Sequence, residues 1–173
     1  MFVYTPKNVK KNAPLLVGLH GCAQTASSYA HESGWFKLAD EHGFILLLPQ
    51  TQTFNNISMC YNWFTPVDIN RKKQGESRSI KNMIEYMKEN RDIDTNQIFI
   101  TGVSAGAAMS VVMMSLYPET FKAGSSLAGG PYKAANNVFG AGFALLGWVV
   151  RKPHKWAKHV IKQNPNYKGS YPK

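Results

Sequence analysis

No acidic residue follows Glu119: all ten Asp and Glu lie in the first 119 residues, while the remaining 54 carry nine Lys and Arg. The last third of the chain therefore offers no side-chain carboxylate for acid–base work or for orienting a histidine. Cysteine is nearly absent as well. Cys22 and Cys60 are the whole supply, which leaves either a reduced pair or a single disulfide. Long apolar runs are missing: Val138 to Val150 is the longest, with three glycines in 13 residues, too short to cross a bilayer. No repeat and no Gly/Ser-rich linker divides the chain, so a single domain over residues 1–173 is expected. Met1 runs straight into Phe2-Val3-Tyr4 without a basic and then apolar leader. Either the protein stays inside the cell or its export signal lies outside this reading frame.

The net charge of +10 suggests nucleic acid until it is mapped. Residues 1 to 119 are nearly balanced, and the excess belongs to the tail. The run Arg151-Lys152-Pro153-His154-Lys155-Trp156-Ala157-Lys158-His159 could grip phosphates or anionic lipid. Its period equally fits a short helix with Trp156 and Val160 inward and lysines in solvent. No aromatic platform or motif supports nucleic-acid binding, and none is expected. His154 and His159 have no cysteine or carboxylate nearby, so no metal site is expected.

Apolar runs and helical spacing alternate along the chain. Leu15 to Leu19, between Pro14 and His20-Gly21, and Phe44 to Leu48, between Gly43 and Pro49, read as buried parallel strands. Ala26 to Glu32 and Trp35 to His42 between them read as helices, the second burying Trp35, Leu38 and Ala39. Residues 49 to 75 form a long irregular stretch, too aromatic at Cys60-Tyr61-Asn62-Trp63-Phe64 to be disordered. Glu76 to Asn90 places Ile80, Met83, Ile84 and Met87 on one helical face. Ala123 to Ala128 reads as a further strand. This alternation predicts a mostly parallel sheet covered on both faces, with a site at the carboxyl ends of its strands.

One serine sits where strand, turn and helix meet. Ile98-Phe99-Ile100-Thr101 leads into Gly102-Val103-Ser104-Ala105-Gly106 and then a helix that opens with small residues. A nucleophile elbow needs small residues at both ends, because the turn strains the serine backbone and brings strand and helix too close for side chains. Ser104 is the candidate nucleophile. Acyl transfer also needs donors for the oxyanion. In elbow hydrolases one is the amide after the nucleophile, here Ala105, and the other comes from the loop after an early strand, here His20-Gly21-Cys22-Ala23-Gln24. His20 is expected to orient that loop by hydrogen bonds. His31 and His42 read as surface residues. Trp63 is either an aromatic substrate platform or a packed loop anchor.

Four ordered blocks now carry a resemblance: His20-Gly21-Cys22-Ala23-Gln24-Thr25, Cys60 to Phe64, Gly102-Val103-Ser104-Ala105-Gly106-Ala107-Ala108-Met109, and Leu127-Ala128-Gly129-Gly130-Pro131-Tyr132. Together they resemble the polyhydroxybutyrate (PHB) depolymerase family of esterases, close to the feruloyl and acetylxylan esterases. The resemblance implies an α/β-hydrolase fold with three α/β/α layers and a mostly parallel sheet. It implies hydrolysis of a polyester or plant-wall ester through a serine acyl-enzyme, no cofactor, and an extracellular or periplasmic location. Ser104 carries over as nucleophile, and the main chains of Cys22 and Ala105 as oxyanion donors. Export would join Cys22 to Cys60 in a disulfide.

The triad of this class runs Ser, then Asp or Glu, then His, and nothing after Ser104 matches the last two roles. Glu119, in a turn past Pro118, reads as solvated. The expectation is the amino-terminal part of an esterase, with the C-terminal strands missing and its own activity doubtful. A non-catalytic remnant that binds polyester or polysaccharide is the alternative. An open apolar edge beyond Ala123 to Ala128 would favour a dimer and leave about the last 20 residues without a dock.

Overall fold

The computed structural model describes all 173 residues. Five strands form one sheet in the order β1-β3-β2-β4-β5, comprising β1 (Phe2–Tyr4), β2 (Ala13–Leu19), β3 (Ile45–Leu48), β4 (Ile93–Val103) and β5 (Ala123–Leu127). Only β1 runs antiparallel, pairing Val3 with Leu47. The other contacts are parallel, with Val17 opposite both Leu47 and Ile100.

Successive side chains of a strand face opposite sides, and the apolar runs use both. Leu15, Val17, Leu19, Ile45 and Leu47 join the larger core, under α3 (Glu76–Asn90) and α4 (Ala105–Leu116). Leu46 and Leu48 face the other way, under α1 (Ala26–Glu32) and α2 (Trp35–His42). The result is the three-layer α/β-hydrolase arrangement expected from the sequence. α1 begins where Thr25 and Ser28 form a reciprocal capping box. In α2 only Ala39 is fully buried; Trp35 and Leu38 are half-buried. The reason lies beside them: α1 and α2 cover β1, β3 and β2, but over β4 and β5 that face is an apolar cavity of about 700 Å³, lined by Leu16, Trp35, Phe44, Phe99 and Leu127.

Three details differ from the sequence reading. β4 starts five residues earlier than its apolar run, because Ile93 pairs with Ala13 before a register shift carries the chain past polar residues 94–97. There Asp94 accepts from the Asn96 amide at 2.8 Å. β5 is an edge of Ala, Gly, Ser, Ser and Leu rather than an apolar one, and its Gly124 amide donates to the Lys173 carbonyl at 2.9 Å. The tail is also docked. Asn164, 7% exposed, donates to the Ser115 carbonyl at 2.7 Å and accepts from Arg71 at 2.6 Å. Arg71 in turn pairs with Glu119 at 2.6 Å; Glu119 is exposed, as read from the sequence, and ion-paired as well. Two further helices, α5 (Val138–Leu145) and α6 (Pro153–Ile161), complete the chain. α6 packs Trp156 and Val160 against the larger core, and no helix is long and apolar enough to cross a membrane.

Candidate active site

At the carboxyl end of β4 the backbone reverses through Ser104, whose φ of 54° and ψ of −120° lie where non-glycine residues are rare. Such a conformation costs about 1–3 kcal/mol and persists only where the surroundings enforce it. They do so here by close approach. A Cβ on Gly102 would lie 2.5 Å from the Gly106 carbonyl carbon, and one on Gly106 would collide with the Leu19 and His20 carbonyl oxygens. The Ser104 amide is fixed by the Leu127 carbonyl at 2.9 Å. Strand β4, helix α4 and the loop after β2 therefore meet with no room for side chains, and Ser104 caps the helix at their junction.

The loop after β2 runs beside the serine: a Cβ on Gly21 would lie 3.6 Å from Ser104 Cβ. His20 is fully buried and holds this loop in place. The Thr51 amide can only donate, and it donates to His20 Nε2 at 3.2 Å. His20 Nδ1 therefore carries the proton and donates to the Gly21 carbonyl at 2.7 Å. Burial holds this imidazole below its ordinary pKa, only partly offset by the Gly21 carbonyl. Gln24 closes the loop by accepting from the Gly21 amide at 2.8 Å. The Cys22 and Ala105 amides have no acceptor among the loop, turn and cap hydrogen bonds; for Ala105, a first-turn amide, that is intrinsic to the helix start.

Cys22 and Cys60 are joined by a disulfide with Cα atoms 4.2 Å apart. This ties the loop beside Ser104 to the aromatic segment. Trp63 in that segment is 6% exposed, packs edge-on to Phe64 at 5.4 Å, and lines a cavity of about 310 Å³ that Ser104 also lines. It is packed and faces the cavity at once. The segment is held from α3 by Glu76, which accepts from the Asn62 amide at 2.6 Å and from Asn62 Nδ2 at 3.1 Å. Burial raises the Glu76 carboxyl to about 7 despite these hydrogen bonds. The sequence reading missed Glu76 and Thr51. Glu76 read simply as the first residue of an amphipathic helix, and only the long asparagine-rich stretch before it hinted at a partner.

No histidine meets Ser104. His20 is committed to Gly21 and Thr51, His31, His42 and His154 are exposed, and His159 Nε2 accepts from Arg151 at 2.8 Å. No three His, Cys, Asp or Glu side chains gather where they could hold a metal ion.

The family model described as "Esterase PHB depolymerase" matches residues 2–148. The chain belongs to this esterase family. Poly(3-hydroxyalkanoate) depolymerase C of Paucimonas lemoignei is 43% identical over 173 residues, covering all of this chain and 41% of that protein. An acetylxylan esterase of Coprinopsis cinerea is 35% identical over 177 residues, covering all of this chain and 47% of that protein. The chain thus spans less than half the length of these two relatives. Among solved structures, the acetyl xylan esterase from Aspergillus awamori superposes with a TM-score of 0.90 at 27% identity, covering 98% of this chain and 63% of that one. The fold of this PHB depolymerase family member is that of the serine-hydrolase α/β structures it matches.

Proposed function

We propose that this chain carries the nucleophile and oxyanion half of a carboxylic ester hydrolase acting through a serine acyl-enzyme. The observation that carries the reading is Ser104 itself, held at φ 54° with the Gly21 loop alongside. That strain is what a nucleophile elbow requires. The free amides of Cys22 and Ala105 are the donors for the tetrahedral intermediate, each worth roughly 3–4 kcal/mol of transition-state stabilisation. His20 positions the loop and takes no proton from Ser104. The disulfide favours an oxidising compartment, extracellular or periplasmic.

The substrate is an apolar polyester of the poly(3-hydroxyalkanoate) type rather than a feruloyl or acetylated polysaccharide ester. α5 and the residues after it leave Phe139, Leu145, Trp148 and Val150 68–85% exposed, and Ala144, Leu145 and Val149 line the Ser104 cavity. Apolar surface on this scale at a cavity mouth suits contact with a water-insoluble chain. A second reading, a non-catalytic polyester-binding domain, is favoured by the lack of any imidazole on Ser104.

Reaction with a fluorophosphonate separates the two by rate: with no base on Ser104, only amide donors aimed at the developing oxyanion make it phosphonylate faster than the protein's other serines. Hydrolase character gives a one-to-one mass increase that Ser104→Ala abolishes. An unlabelled protein that still adsorbs to polyester film, and loses adsorption with Phe139→Ser and Trp148→Ser together, is the binding domain.

A further inference from the structure

Ala134 lines both the Ser104 cavity and a second one, of about 380 Å³. The side-chain acceptors around the second cavity, Asn70 Oδ1, Asn136 Oδ1 and His159 Nε2, are each already engaged, while donors are left over. The Asn70 Oδ1 already accepts from the Lys72 amide at 2.9 Å, which leaves Asn70 Nδ2 free. The Gly140 amide donates to Asn137 Oδ1 at 2.8 Å, so Asn137 Nδ2 donates to Asn136 Oδ1 at 3.1 Å, leaving Asn136 Nδ2 free in turn. Arg151 spends one N–H on His159 Nε2 at 2.8 Å, and its guanidinium carbon lies 4.8 Å from the centre of the Trp156 ring. Lys133 is held in a left-handed conformation, φ 62°, beside the buried Tyr132 whose hydroxyl donates to the Ile69 carbonyl at 2.9 Å. Neither Lys133 nor Arg151 belongs to any ion pair of the protein, and no acid lines the cavity.

We propose that this cavity binds a carboxylate, the acid end of a short oligoester or of the hydroxy acid released from it. The assignment rests on the ester hydrolase reading for its choice of anion, since each cleavage of a polyester leaves a carboxylate on one fragment. Two unpaired cations and two amide N–H₂ groups, with no free side-chain acceptor competing, match the lone pairs of one carboxylate. A guanidinium that touches an indole and an imidazole keeps its remaining N–H groups for a carboxylate, whose two oxygens match the planar fork of arginine. The left-handed backbone at Lys133 belongs to a tight turn, closed by the Ala134 amide donating to the Pro131 carbonyl at 3.0 Å, which sets Lys133 at the cavity rim. The site adjoins the Ser104 cavity through Ala134, so a bound acid end would place the rest of the oligomer toward the serine.

Calorimetric titration of the Ser104→Ala protein with 3-hydroxybutyrate, its methyl ester and inorganic phosphate tests this. Saturable millimolar binding of the acid, none of the methyl ester, and a loss of about tenfold or more in Lys133→Gln/Arg151→Gln are expected. Lys133→Gln alone, at a half-exposed position, should fold normally and bind severalfold more weakly. Equal binding of acid and ester, tighter binding of phosphate than of the acid, or affinity unchanged in both variants would overturn the proposal. Because Ser104 is absent from the titrated protein, acid binding together with a failure of fluorophosphonate labelling in the wild type upholds this site while rejecting the hydrolase reading.

Discussion

Glu76 makes stability depend on pH in a direction unusual for a carboxylate. Its carboxyl is raised from 4.5 to about 7, chiefly by burial, so the folded state favours the protonated form more than the unfolded chain does. Stability from this group is therefore fully present below the unfolded value and is lost as pH rises through the folded one. A difference of about 2.5 pH units at 1.36 kcal/mol each gives about 3 kcal/mol, or roughly 6–12 °C in Tm for a chain of this size. His20 works against it: its pKa is lowered by burial, so it withdraws stability as pH falls through and below its ordinary value. The difference between wild type and Glu76→Gln separates the two. Glutamine keeps one of the two hydrogen bonds to Asn62 and no longer titrates, costing about 1 kcal/mol at every pH. Thermal melts from pH 4.5 to 8 should show the variant less stable at the acidic end and level with or above wild type at the basic end. Parallel curves would refute the reasoning, and with it the claim that Glu76 is a desolvated anchor of the Trp63 segment.

Strain at Ser104 should be separable from its chemistry. Ser104→Ala keeps the conformation and Ser104→Gly relaxes it, so the glycine variant should be about 1 kcal/mol more stable in chemical denaturation, with neither labelled by a fluorophosphonate. Reduction of the Cys22–Cys60 bridge, a separation of 38 residues, should cost about 3–4 kcal/mol in the chain-entropy model; two freely alkylated thiols in protein from an oxidising compartment would exclude it. The 173 residues alone should hydrolyse p-nitrophenyl esters only at the roughly 10³–10⁴-fold enhancement that oxyanion stabilisation and binding provide. Turnover of about 1 per second or faster, lost in Ser104→Ala, would reveal a base among the histidines that the geometry places elsewhere. Light scattering should detect dimers through β5, which is an edge strand of the sheet and so offers a template for pairing; a strictly monomeric protein would reject that association.

What was legible in the sequence is what short-range pattern controls. The bounds of α1 and α2 follow from Thr25 and from Gly34 and Gly43, both at positive φ, and Ser104 announces itself because its turn needs glycine at both ends. Features made by distant residues were not legible. Arg71 joins Glu119 and Asn164 across separations of 48 and 93 residues, and no local pattern marks Asn164 as a dock for the tail. Arg151 and His159 read as one solvated helix face, yet Arg151 precedes α6 and folds back over Trp156, which turns a charge run into a cavity wall. Burial of Glu76 depends on an irregular stretch whose path periodicity cannot supply.

The close packing that makes Ser104 legible also explains why its neighbours share its constraints. Gly106 must be bare because the carbonyls of Leu19 and His20 press against α4. Those carbonyls are there because β2 ends at this point and its loop turns across the helix start. His20, the first residue of that loop, can be buried only as a neutral imidazole with both nitrogens satisfied, and Thr51 and Gly21 satisfy them. Thr51 Oγ1 then donates to the Met59 carbonyl at 2.6 Å, next to Cys60 and its disulfide. Serine, loop and aromatic segment are thus one chain of buried contacts. A His20→Ala change would leave the Gly21 carbonyl and the Thr51 amide without partners, at about 1–3 kcal/mol each, and would loosen the Cys22 amide. It should therefore depress fluorophosphonate labelling of Ser104 even though His20 never touches the serine hydroxyl. Labelling at the wild-type rate in a folded His20→Ala protein would show that the loop holds its position without the imidazole.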